Sequence, residues 1–123
     1  MESILTSIKK MLGIEEEYTH FDPDIIMHIN TAFMRLRQMG VGPAEGFRIE
    51  DDTSTWYEFD PEADYEAVKT YIYIEVKLVF DPPLSSAVID VLKENRDELK
   101  WRLNVEAETP TTLNGEEEIQ NGE

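Results

Sequence analysis

The chain of 123 residues contains no cysteine, which removes disulfides, thiolate nucleophiles and cysteine-based zinc sites together and leaves no sign of an oxidising compartment. An intracellular setting is the expectation. Histidine is nearly as scarce, with only His20 and His28. Asp24 and His28 stand at i and i+4 and could offer two ligands to a divalent metal, but a closed site needs about four. The plainer reading of His28 is an ordinary histidine on a helix surface.

Positive charge is also in short supply. Eleven Lys and Arg face 27 Asp and Glu, a net charge of −16, so the surface as a whole repels nucleic-acid phosphates and anionic lipid headgroups. Sequence-specific reading of DNA is not expected. Residues 106–123 hold six Glu and no Lys or Arg, which leaves 21 acidic and 11 basic residues, or −10, on the first 105. Long apolar runs are missing as well. Met1 to Leu12 has isolated apolar residues at helical spacing, which reads as neither a secretory signal nor a membrane span, and no membrane partner is expected.

No glycine-rich phosphate loop is present. In Gly40-Val-Gly-Pro-Ala-Glu-Gly46, Pro43 and Glu45 work against a ring of anion-holding amides and no Lys follows, so a turn is the better reading. Carboxylates are abundant enough that pairs such as Asp51 with Asp52, or Glu15 with Glu16, can always be proposed for acid and base roles. No Ser, Cys or Lys stands in a recognisable nucleophile setting beside them. The sequence therefore assigns no catalytic residue, no cofactor and no metal.

What the chain does contain points to a mostly α fold, a small bundle of about four helices in one domain over residues 1–105. Ser3 can cap a first helix striped by Ile4, Leu5, Ile8, Met11 and Leu12, with Gly13 as its left-handed stop. Phe21-Asp22-Pro23 opens a second: Asp22 caps, Pro23 takes the first position and Phe21 staples onto Ile26. Ile25, Ile26, Ile29, Phe33 and Leu36 give this helix one inward face, and Gly40 ends it. Residues 43–61 read as a packed aromatic loop with one or two short extended pieces, carrying Phe47, Ile49, Trp56, Tyr57 and Phe59.

Residues 62–80 fit two periods. Ile72, Ile74, Val76, Leu78 and Phe80 alternate as in a strand, whereas Tyr65, Val68, Ile72, Val76 and Val79 share a helical face. Helix is favoured for its helix-forming lead-in and because an isolated strand would lack a partner. Asp81-Pro82-Pro83 ends that element, and Ser85 or Ser86 then caps a last long helix running to about Val105. Val88, Ile89, Leu92, Leu99 and Leu103 form its expected buried stripe, and Glu98 and Arg102 can pair across a turn. Lys93, Arg96, Lys100 and Arg102 make it the least acidic surface. Residues 106–123 read as an acidic tail, flexible when free.

Several of these segments carry a resemblance. Leu12-Gly-Ile-Glu15, Phe21-Asp-Pro-Asp-Ile-Ile-Met-His-Ile-Asn30 and Gly40-Val-Gly-Pro43 resemble the opening of small head-tail connector proteins of tailed bacteriophages and prophages. Tyr71-Ile-Tyr-Ile74, Phe80-Asp-Pro-Pro83 and Glu98-Leu-Lys-Trp-Arg-Leu-Asn104 are similar to their second half. The resemblance implies a structural adaptor of the virion neck, assembled in the host cytoplasm as a homo-oligomeric ring, expected to be dodecameric. Such a ring sits between the portal protein and the stopper or tail protein, and DNA passes through it without sequence-specific binding. The acidic end, 106–123, lies outside the matching part.

On this reading the contact residues are Trp56, Tyr57 and Phe59 in the loop, and Trp101, Arg102, Leu103, Asn104 and Val105 leading into the tail, although the same residues would also serve to fill the core. The charge alone supports an alternative, a small acidic inhibitor that mimics DNA and occupies a nucleic-acid-binding protein. A carboxylate-dependent hydrolase is the third reading and would require a pocket with a raised-pKa carboxylate.

Overall fold

A computed structural model describes residues 2–60 and 65–108. Five helices follow in order among these residues: α1 (Ile4–Leu12), α2 (Asp22–Gln38), α3 (Trp56–Phe59), α4 (Tyr65–Phe80) and α5 (Ser86–Glu108). The architecture is the mostly helical bundle expected, with a single turn of helix, α3, added inside the aromatic loop.

Local chemistry sets the helix ends. Ser3 Oγ accepts from the Thr6 backbone N–H at 3.2 Å, and Gly13 closes α1 at φ +81°, where its N–H reaches back to the Lys10 carbonyl. At the start of α2 the capping expectation needs correction. Phe21 occupies the cap without a side-chain hydrogen bond, Asp22 is already helical, and the Asp22 carboxylate lies 2.9 Å from the Lys9 ammonium instead. Phe21 meets Phe80 edge-on at 5.3 Å, tying the start of α2 to the end of α4. For α5, Ser85 is the cap: its hydroxyl accepts from the Val88 N–H at 3.4 Å and its carbonyl from the Ile89 N–H.

The segment with two periods is helical. α4 is the central element, packed against α1, α2 and α5. Val68, Tyr71, Ile72, Ile74, Glu75 and Val76 are all buried, and neighbours on several sides explain why apolar residues also alternate along it. Val79, expected on the inner face, is exposed instead.

The core joins Ile4, Leu5 and Ile8 of α1 to Ile25, Ile29, Phe33 and Leu36 of α2 and to the buried face of α4. Lys9, itself 2% exposed, secures the α1–α2 connection. Its ammonium donates to the carbonyls of Glu16 (3.0 Å) and Tyr18 (2.8 Å) and forms an ion pair with Asp22, so the buried charge is compensated.

Candidate protein-interaction surfaces

The 41–60 loop is held to the body by side chains that substitute for a sheet. Asn30 of α2 donates through Nδ2 to the Ile49 carbonyl (2.9 Å) and accepts from the Ile49 N–H through Oδ1 (2.8 Å). Ser3 and Thr55 form an isolated antiparallel bridge, with the Ile4 N–H donating to the Ser54 carbonyl. That bridge is the extended piece present. Thr55 caps α3, which turns Trp56 and Phe59 inward together.

Trp56 and Phe59 are therefore core residues of the single chain, 1% and 3% exposed. The Trp56 indole N–H donates to Ser7 Oγ at 2.9 Å, and Phe59 lies against Phe33 and Phe47 at centroid distances of 5.1 and 5.5 Å. The same packing fixes Gly42: at φ +92°, a Cβ there would run into the Phe59 ring. Tyr57, between the two, points out and is exposed.

The other predicted group divides in the same way. Leu103 is buried, Asn104 is half-buried, and Trp101, Arg102 and Val105 are exposed. Ile89, Leu92 and Leu99 lie partly buried on the same face as Leu103, whereas Val88 is turned out, which corrects the expected stripe. Among the described residues Arg102 makes no pair with Glu98, and the neighbours Arg96 and Asp97 pair on this helix instead.

Sequence reasoning missed an exposed apolar edge made by Val79, Leu84, Val88 and Val91 at the α4–α5 turn. Leu84 is fully exposed there and the three valines about half so. Spacing carried part of the signal, since Leu84, Val88 and Val91 recur at four and three and continue one helical face. The same spacing equally describes a helix with covered faces.

Two grooves open on the α2 side. One, of about 690 Å³, runs along the outer face of α2 past Met27, Met34 and Phe47 and is bordered by Arg37, Glu45 and Arg48. The other, of about 640 Å³, lies between α1, the start of α2 and residues 48–52, with Leu5, Pro23, Ile26 and Ile49 inside and Asp22, Glu50, Asp51 and Asp52 along it. Thr53 donates to Asp51 Oδ1 through its hydroxyl (2.6 Å) and its backbone N–H (2.9 Å), which holds that carboxyl below its ordinary pKa.

Inside the bundle, Arg35 of α2 pairs with Glu75 of α4 at 3.0 Å, and the Tyr71 hydroxyl donates to the other Glu75 oxygen at 2.7 Å. Burial, together with the Glu75 carboxylate, pushes the Tyr71 phenol well above its ordinary pKa. The cluster joins two helices with its oxygens occupied. Among the described residues no three His, Asp or Glu side chains gather to hold a metal ion, and no helix is long and apolar enough to cross a membrane.

The surface thus offers exposed apolar edges, charge and shallow grooves, the features of a chain that meets other proteins. Comparison with curated proteins and with solved structures finds no match. A family model described as phage connector protein matches residues 4–110.

Proposed function

Because the chain belongs to the phage connector protein family, we propose that it is a structural head-tail connector that acts through protein contacts alone, with no catalytic step. Copies form a ring, dodecameric on this reading, in the virion neck between the portal protein above and the stopper or tail protein below. Residues 1–105 are the connector body and 106–123 an acidic extension. α5 crosses that boundary and continues to Glu108; the remainder of the extension lies outside the described residues.

The observation that carries this reading is α5 itself, 23 residues long, packed along α4, with Trp101, Val88 and Val91 left uncovered. A helix in that situation gains stability when neighbouring copies cover it. The net charge of −16 favours a conduit, since a negative lumen repels phosphates and lets a duplex slide without adhering. The same charge is what motivates the DNA-mimic alternative, and a conduit accounts for it without a nucleic-acid-binding target.

Particles assembled without the protein test the proposal. They are expected to lose packaged DNA or to lack tails when viewed by electron microscopy. Normal infectious particles would overturn it.

A further inference from the structure

Resting on the ring reading above, we infer that neighbouring copies join head to tail through Trp101, with Lys100 and Arg102 beside it, entering the acid-lined groove between α1, α2 and residues 48–52 of the next copy. Trp101 is 66% exposed, the most exposed aromatic ring among the described residues, although tryptophan is a residue that buried interface centres favour. Lys100 and Arg102 are exposed and form no ion pair among the described residues.

The groove supplies what these three side chains lack. Its apolar surface comes from Pro23 and Ile26, with the buried Leu5 and Ile49 beneath. Glu50, Asp51 and Asp52 stand along it, exposed and without ion-pair partners among the described residues. Asp22 is committed to Lys9, and Arg48 is the single cation lining the groove. The second groove, along the outer face of α2, is bordered by Arg37 and Arg48 against the single carboxylate of Glu45, so Lys100 and Arg102 would meet a net positive border there. Charge therefore selects between two cavities of similar size.

No residue lining the acidic groove belongs to α4 or α5, and α5 is packed along α4. A chain held this way presents its own Trp101 elsewhere and offers the groove to another copy. Two different patches on one chain make a head-to-tail contact, the kind that closes into a ring when the rotation per copy allows. On a chain of −16, copies repel one another overall, so a local pairing of opposite charge is where approach is least opposed.

The absence of cysteine makes the test clean. Lys100→Cys and Asp51→Cys, placed in one full-length chain and oxidised mildly at high concentration, should give a ladder of disulfide-linked multimers. A Lys100→Cys chain paired with Glu66→Cys, on the exposed side of α4, is the control. Trp101→Ala should lower the ladder more than about tenfold, with helix content and thermal unfolding unchanged. Lys100→Glu with Arg102→Glu should abolish self-association of the altered chain, as should Asp51→Lys with Asp52→Lys in a second chain, and mixing the two altered chains should restore association, a rescue that loss of folding cannot imitate.

Multimers captured by an amine-reactive cross-linker without any product from the cysteine pair would overturn this contact and leave the ring reading standing. Reciprocal dimers in place of a ladder would also overturn it, since they require a two-fold interface. Absence of multimers by both routes would overturn the contact and the ring together.

Discussion

The part of the molecule built from α1, α2 and α4 differs from α5 in how it disposes of apolar side chains. In the first, Ile4, Ile8, Ile25, Ile29, Leu36, Ile72 and Val76 are fully enclosed, and even a lysine, Lys9, is buried with two carbonyl acceptors and a paired carboxylate. In α5, which is longer than any of the three, Leu103 is the one buried apolar residue among those described, while Leu84 just before it and Val88, Val91, Trp101 and Val105 along it lie open. Packing within one chain accounts for the first region and leaves the second unexplained. The difference marks where burial within the single chain ends.

The contrast predicts a steep gradient of mutational cost, and Trp56 sits at its top. Trp56→Ala would open a cavity where the loop, α1 and α2 meet and would remove the indole hydrogen bond to Ser7. A loss of about 3–5 kcal/mol is expected, read as a fall in the denaturant midpoint at constant slope. A loss under about 1 kcal/mol would mean the loop is as loosely held as α5.

Lys9→Ala comes next, at about 3 kcal/mol. The change leaves the Glu16 and Tyr18 carbonyls without their donor and Asp22 without its cation. Asp22 is about a fifth exposed, so water can return to it, which places the cost at the lower end for a broken buried pair. Chemical denaturation reads it directly, and hydrogen exchange should show residues 14–21 opening first.

Particular residues show how much of this was legible in advance. Ser3, Gly13 and Gly40 act locally, through a cap or a positive φ, and their roles can be read from neighbours in sequence. The helix at 71–80 was legible only in part, because a central helix covered on several sides loses the one-sided pattern that separates it from a strand. Trp56 and Trp101 have the same side chain, and nothing local separates them. One is buried because Thr55 caps a turn that swings it onto Ser7, and the other is exposed because it stands on the side of α5 away from Leu99 and Leu103. The buried role of Lys9 was illegible for the same reason, since both of its carbonyl acceptors and its carboxylate partner lie beyond the helix that carries it.

Tyr71 sharpens the comparison through pH. Its phenol is buried at the α2–α4 junction and its folded pKa lies above the unfolded value near 10. Folding therefore favours the protonated form, so the contribution of this group is complete below about pH 10 and is lost as pH rises beyond it, by at most about 1.4 kcal/mol per pH unit. Tyr71→Phe removes the bond to Glu75, costing about 1 kcal/mol at neutral pH, and should flatten the alkaline decline. Unfolding curves between pH 8 and 11 check both effects. An unchanged alkaline slope in the variant would show that the phenol does not sense its burial.

Leu84 should cost least. It is fully exposed at the turn between α4 and α5, so Leu84→Ser deletes apolar surface that the folded chain does not cover, and its unfolding free energy should stay within about 0.5 kcal/mol of the parent. The contrast with Trp56→Ala is then several-fold for two large apolar side chains in one small protein. If Leu84→Ser instead destabilised the isolated chain by 2 kcal/mol or more, a value reserved for side chains that pack, the turn would have to fold onto the body in solution. The open edge along α5 would then belong to the fold, and the division between a self-sufficient core and an outward-facing helix would fail at the residue that expresses it most plainly.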